Sequence, residues 1–172
     1  MKKSVFLVAV LLAIISLSLG SLLTLLLYPS EDEPLQRLTN YDHTVQAKFV
    51  AVDQLGEGVV ADLVTEVREG QGLVLVNVNN VLADVTTQYS ARLATAVASN
   101  FTKIDVSNLD IIYNMKSGAG VVAGQSAGSI MAVSTIAALQ NKDLRDDVII
   151  TGSINAAGEV VDAGGLRAKA EA

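Results

Sequence analysis

The apolar positions of this chain fall into two regimes. From Val5 to Tyr28 they form one run, interrupted only by Ser16, Ser18, Gly20, Ser21 and Thr24 and by no charge. After Val45 they recur at short periods between glycine-marked turns. As a helix the first run would be about 36 Å long, enough to cross a hydrocarbon core of about 30 Å with some tilt. A cleaved signal peptide is the rival, since Ser18-Leu19-Gly20 offers small residues for cleavage. The run continues through Leu22–Leu27, however, and exceeds an apolar signal region of about 7–15 residues. A signal anchor over residues 1–28 is therefore expected. Lys2 and Lys3 precede it, and Glu31, Asp32 and Glu33 follow it. The basic flank stays cytoplasmic, which puts the rest of the chain outside.

Pro29 to Thr44 holds both prolines of the chain among polar residues and reads as a linker, 29–44, that includes the one histidine, His43, as a solvated side chain. Residues 45–172 then read as one domain. Val45–Val52 alternates as a strand and Val59–Val67 reads as a second strand, with Gly56 and Gly58 between them. Leu73–Val78 is a third strand, with Val74, Val76 and Val78 on one face. Asp84–Phe101 is helical, with Asp84 as N-cap and an apolar face of Leu93, Val97 and Phe101 beside Ala94 and Ala98.

Asp110–Tyr113 is a strand, and Lys116–Gly124 a loop with three glycines. Ser126–Leu139 is a helix presenting Ile130, Val133 and Ala137, and Val148–Thr151 reads as a buried strand. A turn at Asn155–Gly158 leads into a short strand to Val161, and Gly165–Ala172 starts a last helix. The alternation predicts an α+β class, with an α/β-like mixed sheet and helices.

Composition removes several chemistries. With no cysteine there is no disulfide or thiolate metal site, and with one histidine neither a His-based zinc site nor a Ser-His-Asp triad is expected. No metal and no cofactor are expected. Lys2 and Lys3 are two of the 12 basic residues, so the rest of the chain sets ten bases against 18 acids. Such a surface argues against nucleic acid as a partner.

The candidate chemistry lies between Gly124 and Lys169. Gly124-Gln125-Ser126-Ala127-Gly128 places a serine where a loop enters a helix. Thr151-Gly152 closes the apolar segment, and Gly164-Gly165-Leu166-Arg167-Ala168-Lys169 places a lysine one turn into a helix. A serine hydroxyl needs a base, and without histidine a lysine or a carboxylate must serve. A free lysine, with a pKa near about 10.4, is protonated at neutral pH. Burial disfavours the ammonium, and Leu166, Ala168, Ala170 and Val161 are the apolar neighbours expected to supply it. Gly124 and Gly128 would let a substrate carbonyl approach the backbone, small Ala127 would keep the cleft open, and N–H groups at the helix start would face a developing oxyanion. Taken singly, Ser126 also reads as an ordinary helix N-cap and Lys169 as a solvated helix lysine.

These segments together resemble the proteolytic domain of the Lon (S16) peptidases, whose pattern runs Gly-Pro-Ser-Ala-Gly, then Thr-Gly-x-Ile, then Gly-Gly-Leu/Ile-x-x-Lys. Ser126 and Lys169 stand 43 positions apart, the family's spacing. Gly58-Val59-Val60 and Thr87-Gln88-Tyr89-Ser90-Ala91-Arg92 are similar to earlier family segments. The resemblance implies a fold akin to domain 2 of ribosomal protein S5, a Ser126–Lys169 catalytic dyad with Thr151 holding the amine, polypeptide substrates and a homo-oligomeric ring.

It is closest in kind to the membrane-anchored archaeal or bacterial proteolytic domain without an ATPase. No Gly-x-x-x-x-Gly-Lys-Ser/Thr phosphate loop occurs in the chain, so any ATP dependence is expected from a separate ATPase partner. Ala123, Gln125 and Ser153 replace the aspartate, proline and glutamate common in the family, and only three residues follow Lys169, where the family's fold continues. The chain thus reads as a truncated product or a fragment, expected to be less stable and less active than an extended form. A non-catalytic, membrane-tethered polypeptide-binding domain is the alternative.

Overall fold

The computed structural model describes residues 42–78, 82–117, 121–122 and 125–172, together with Ser16. The expected membrane anchor, the linker up to residue 41 and Gly124 lie outside the described residues, Ser16 apart. Among the described residues, no helix is long and apolar enough to cross a membrane. The chain divides into two units, Met1–Leu35 and Gln36–Ala172, and all the elements below belong to the second.

Four strands form the main sheet: β1 (Asp42–Val52), β2 (Gly58–Glu69), β3 (Val74–Val78) and β5 (Leu109–Ser117), in the order β1-β2-β5-β3. β2 is antiparallel to β1 and β5, and β3 is parallel to β5. The period of two decides which face is buried. Val45, Phe49 and Ala51 of β1, Ala61, Leu63 and Val67 of β2, and Leu109, Ile111 and Met115 of β5 all enter one core. Register aligns Val45, Thr65, Tyr113 and Val76 in a row across the four strands. Val74, Val76 and Val78 face this core as their alternation predicts, while Leu73 and Leu75 are exposed. On the opposite face Asn77 donates to Asn114, which donates to Glu66, tying β3, β5 and β2 by side chains.

Helix α1 (Val85–Thr102) and helix α2 (Gly128–Leu139) cover the core face. Asp84 caps α1 as expected, accepting from the Thr87 N–H at 2.9 Å. The buried face of α1 differs from the expected stripe. It consists of Thr87, Ser90, Ala91, Ala94, Thr95 and Ala98, whereas Leu93 and Val97 are half-buried and Phe101 is 68% exposed. Small residues let α1 approach α2 closely, and the larger side chains are displaced to the flank. α2 lies against β1 and β2 on one side and α1 on the other, so it is buried almost all round.

Hydroxyls are paired within this packing. Tyr113 Oη lies 2.7 Å from Thr135 and 3.1 Å from Thr95, and Thr65 lies 2.7 Å from Ser134. Burial pushes the Tyr113 phenol up to about 12. The group therefore stays neutral and bonded, linking the sheet to both helices.

Several segments depart from expectation. β1 begins at Asp42, so Asp42–Thr44 belong to a strand and not to the linker. His43 pairs with Val67 across the sheet, and its Nε2, buried, lies 3.9 Å from Asp143 Oδ1. The loop expected from Lys116 is shorter: Lys116 and Ser117 extend β5, and β6 (Val121–Val122) pairs in parallel with β4 (Leu82–Ala83). Val148–Thr151 is not a buried strand. Ile149 makes a single parallel bridge to Lys48 at the outer edge of β1, and Val148 and Ile149 are 44% and 45% exposed. The pairing is taken up one step later, by a hairpin of β7 (Ser153–Ile154) and β8 (Val160–Val161) around the expected turn.

Candidate active site

Ser126 sits in a single 3-10 turn, Gln125–Ala127, that leads into α2. The helix proper starts at Gly128, one residue later than its hydroxyl would need to cap it, and the cap position belongs to Ala127, which has no side-chain cap bond. Ser126 is thus not the helix N-cap. Its carbonyl is held instead: Gly152 N–H donates to it at 2.9 Å, and Ser129 N–H donates back to the Gly152 carbonyl at 3.0 Å. This reciprocal pair fixes the turn against the segment entering β7. Ala127 is buried in the core, and a side chain at Gly128 would meet Ile154 Cγ1 at 3.1 Å. Both small residues therefore serve packing against the hairpin, where an open cleft and close substrate approach were expected. The Ser129 N–H, one of the donors at the helix start, is already taken by Gly152.

Lys169 belongs to α3, the five-residue helix Leu166–Ala170. The helix is shorter than expected, and its start requires Gly165 at φ +67, a left-handed conformation that side chains resist. Lys169 is only 7% exposed. That burial does not come from the neighbours expected to supply it, since Leu166, Ala170 and Val161 are all exposed. It comes from docking of α3 on the ends of β1 and β2. A side chain at Gly58 would lie 2.0 Å from the Ala168 carbonyl oxygen, so the start of β2 touches the α3 backbone itself. Burial holds the Lys169 ammonium below the ordinary lysine value.

Thr151 joins the two. Its hydroxyl accepts from Lys169 Nζ at 3.3 Å and donates to the Ser126 carbonyl at 3.4 Å. The structure thus brings Ser126, Thr151 and Lys169 into one bonded group, although Lys169 lies on an element 43 positions from the serine. Replacing Thr151 by valine keeps the shape and removes both bonds. For the peptidase activity that the resemblance implies, kcat/KM on an unstructured peptide is expected to fall about tenfold, the upper scale of one hydrogen bond between neutral groups. A parent rate would show that Thr151 does not position the amine.

Gly58, Gly152 and Ser129 support this group and were not singled out for it by sequence. Gly58 reads as a turn glycine at the start of a family-like segment, and its constraint arises only when α3 docks on it. Gly152, next to Thr151, had a signal in the Thr-Gly pair. Among the described residues, no cluster of His, Asp or Glu could hold a metal ion.

The chain is 32% identical over 117 residues to the archaeal Lon protease of Thermoplasma volcanium, a match covering 67% of this chain and 18% of that protein. It is 31% identical over 116 residues to the archaeal Lon protease of Thermococcus kodakarensis, covering 67% of this chain and 17% of that one. With Lon protease 2 of Herpetosiphon aurantiacus the identity is 35% over 118 residues, covering 65% and 14%. The chain therefore matches less than a fifth of the length of these relatives. The profile of the Lon protease (S16) C-terminal proteolytic domain matches residues 39–172, which takes in the whole sheet, both covering helices and the Ser126–Thr151–Lys169 group. By this match the chain belongs to the Lon protease C-terminal proteolytic domain family.

Proposed function

We propose that this protein is a serine endopeptidase in which Ser126 attacks a peptide carbonyl and Lys169 is the base that takes its proton. The observation that carries the reading is the state of Lys169. A lysine that is 7% exposed, beside a hydroxyl and with no carboxylate in ion-pair range among the described residues, has its ammonium disfavoured by burial and is better suited than a solvated lysine to accept a proton. Transfer of that proton to the leaving amine completes acylation, and water then repeats the sequence on the acyl-enzyme. Extended polypeptide is the substrate class that a carbonyl-directed serine of this family would take.

A fluorophosphonate probe tests the reading. It is expected to label Ser126 in the folded protein and not in heat-denatured protein, with the adduct located by peptide mass spectrometry. The labelling rate should rise with pH through a midpoint below the ordinary lysine value of about 10.4, because the neutral amine is the active form. Labelling elsewhere, or none in folded protein, would leave polypeptide binding without hydrolysis.

We further propose that residues 1–28 anchor the domain in a membrane, with residues 45–172 outside the cytoplasm, on the strength of the flanking charges. The chain has no cysteine, so Gln140→Cys, at an exposed helix end, gives a single thiol. A membrane-impermeant maleimide is expected to label it in intact cells. Labelling only after lysis would reverse the orientation.

A further inference from the structure

A groove of about 440 Å³ lies between the C-terminal half of α1, the outer side of α2 and the β7–β8 hairpin. Val97 and Phe101 form one wall, Val133 and Ile136 the second, and Ile154 and Val160 the third. Ser126, Thr151 and Lys169 are not among its lining residues. Its size lies within the range of small-molecule sites, roughly 300–1,000 Å³.

One lining residue sets the groove apart from a simple packing gap. Ser129 is 2% exposed, and its Oγ has no hydrogen-bond partner among the described residues. A buried hydroxyl without a partner is destabilising. A water molecule would find little else to bind, because Asn100 is the only other polar side chain among the described residues lining the groove and it sits at the exposed rim. Among the described lining residues no side chain is charged, so a charged ligand would lose its hydration without compensation.

We propose that this groove binds a small, uncharged, mostly apolar ligand through one hydrogen-bonding group that engages Ser129 Oγ. The site is separate from peptide hydrolysis at Ser126 and does not depend on it. It is tied to the nucleophile's turn all the same, since the Ser129 backbone N–H holds the Gly152 carbonyl and Gly152 holds that of Ser126.

Benzyl alcohol and toluene, one with a hydroxyl and one without, are the probes. Both are titrated into the full chain while methyl NMR signals of Val133, Ile136 and Ile154 are followed. Saturable shifts are expected with each. Ser129→Ala should weaken benzyl alcohol roughly fivefold, the scale of one hydrogen bond, and leave toluene unchanged. Val133→Phe, which fills the groove from a half-buried wall, should abolish saturable shifts with both. Shifts that grow linearly to the solubility limit in the parent would overturn the site. Equal effects of Ser129→Ala on both probes would overturn the assigned role of the hydroxyl. If Val133→Phe does not fold, the Ser129→Ala comparison decides alone.

Discussion

Ser126→Ala, Lys169→Ala and the double variant are expected to lose peptidase activity to one common floor. The reason is that in the proposed mechanism the two side chains act as a unit. Without the hydroxyl there is no nucleophile to deprotonate, and without the amine the hydroxyl stays a poor nucleophile. Either loss should remove most of the rate, about 10³-fold or more, and the second should add little. Lys169→Arg is expected to fail as completely, because guanidinium stays protonated and cannot accept the serine proton. Its failure would separate a role as base from a role as mere positive charge. The measurement is kcat/KM on an unstructured peptide, with circular dichroism to show that each variant folds. If Lys169→Ala folds and cleaves at the parent rate, Lys169 is not the base. Losses that multiply in the double variant would mean that the two residues act independently.

Gly58→Ala is expected to damage both stability and activity, although residue 58 is distant in sequence from Ser126 and Lys169. The added methyl would sit 2.0 Å from the Ala168 carbonyl oxygen and 2.9 Å from Ala172 Cβ. A backbone oxygen cannot swing aside as a flexible side chain can, so α3 or the start of β2 must shift. Overpacking of this kind destabilises by about 1–3 kcal/mol. At about 2–4 °C per kcal/mol for a domain of this size, Tm should fall by several degrees. Lys169 directly follows Ala168, so the same shift moves the amine from Thr151. A misplacement of about 1 Å at a reacting group costs about 10²-fold in rate. Gly164→Ala is the control, since a side chain there meets nothing within 4 Å. Thermal melts and kcat/KM on the pair decide the matter: parent values for Gly58→Ala would mean that α3 is not held by this contact.

The residues of the Ser126–Thr151–Lys169 group were legible in the sequence, because each sits in a local pattern. Ser126 stands among small residues, Thr151 before a glycine, and Lys169 one turn after a glycine pair. The strands were legible for a similar reason. Alternation in β1, β2 and β3 is set by one buried face, and that is a period of two whatever the partner strand is. The Asp84 cap is a contact of three residues and needs nothing from the rest of the chain.

What escaped the sequence depends on partners far along the chain. The burial of Lys169 was expected from its own helix, yet Leu166 and Ala170 point to solvent. The ends of β1 and β2, more than a hundred positions earlier, cover it instead. The apolar stripe of α1 gave way to its small residues because α2 approaches closely there, and no window of sequence shows how near a second helix will lie. Val148–Thr151 is apolar enough for a buried strand, but only a single bridge forms at the edge of β1, and the residues stay half exposed. Local pattern thus determined which residues form the elements and which side chains are candidates for chemistry. Tertiary docking alone decided which of them lost their water, and the proton affinity of Lys169 follows from that loss.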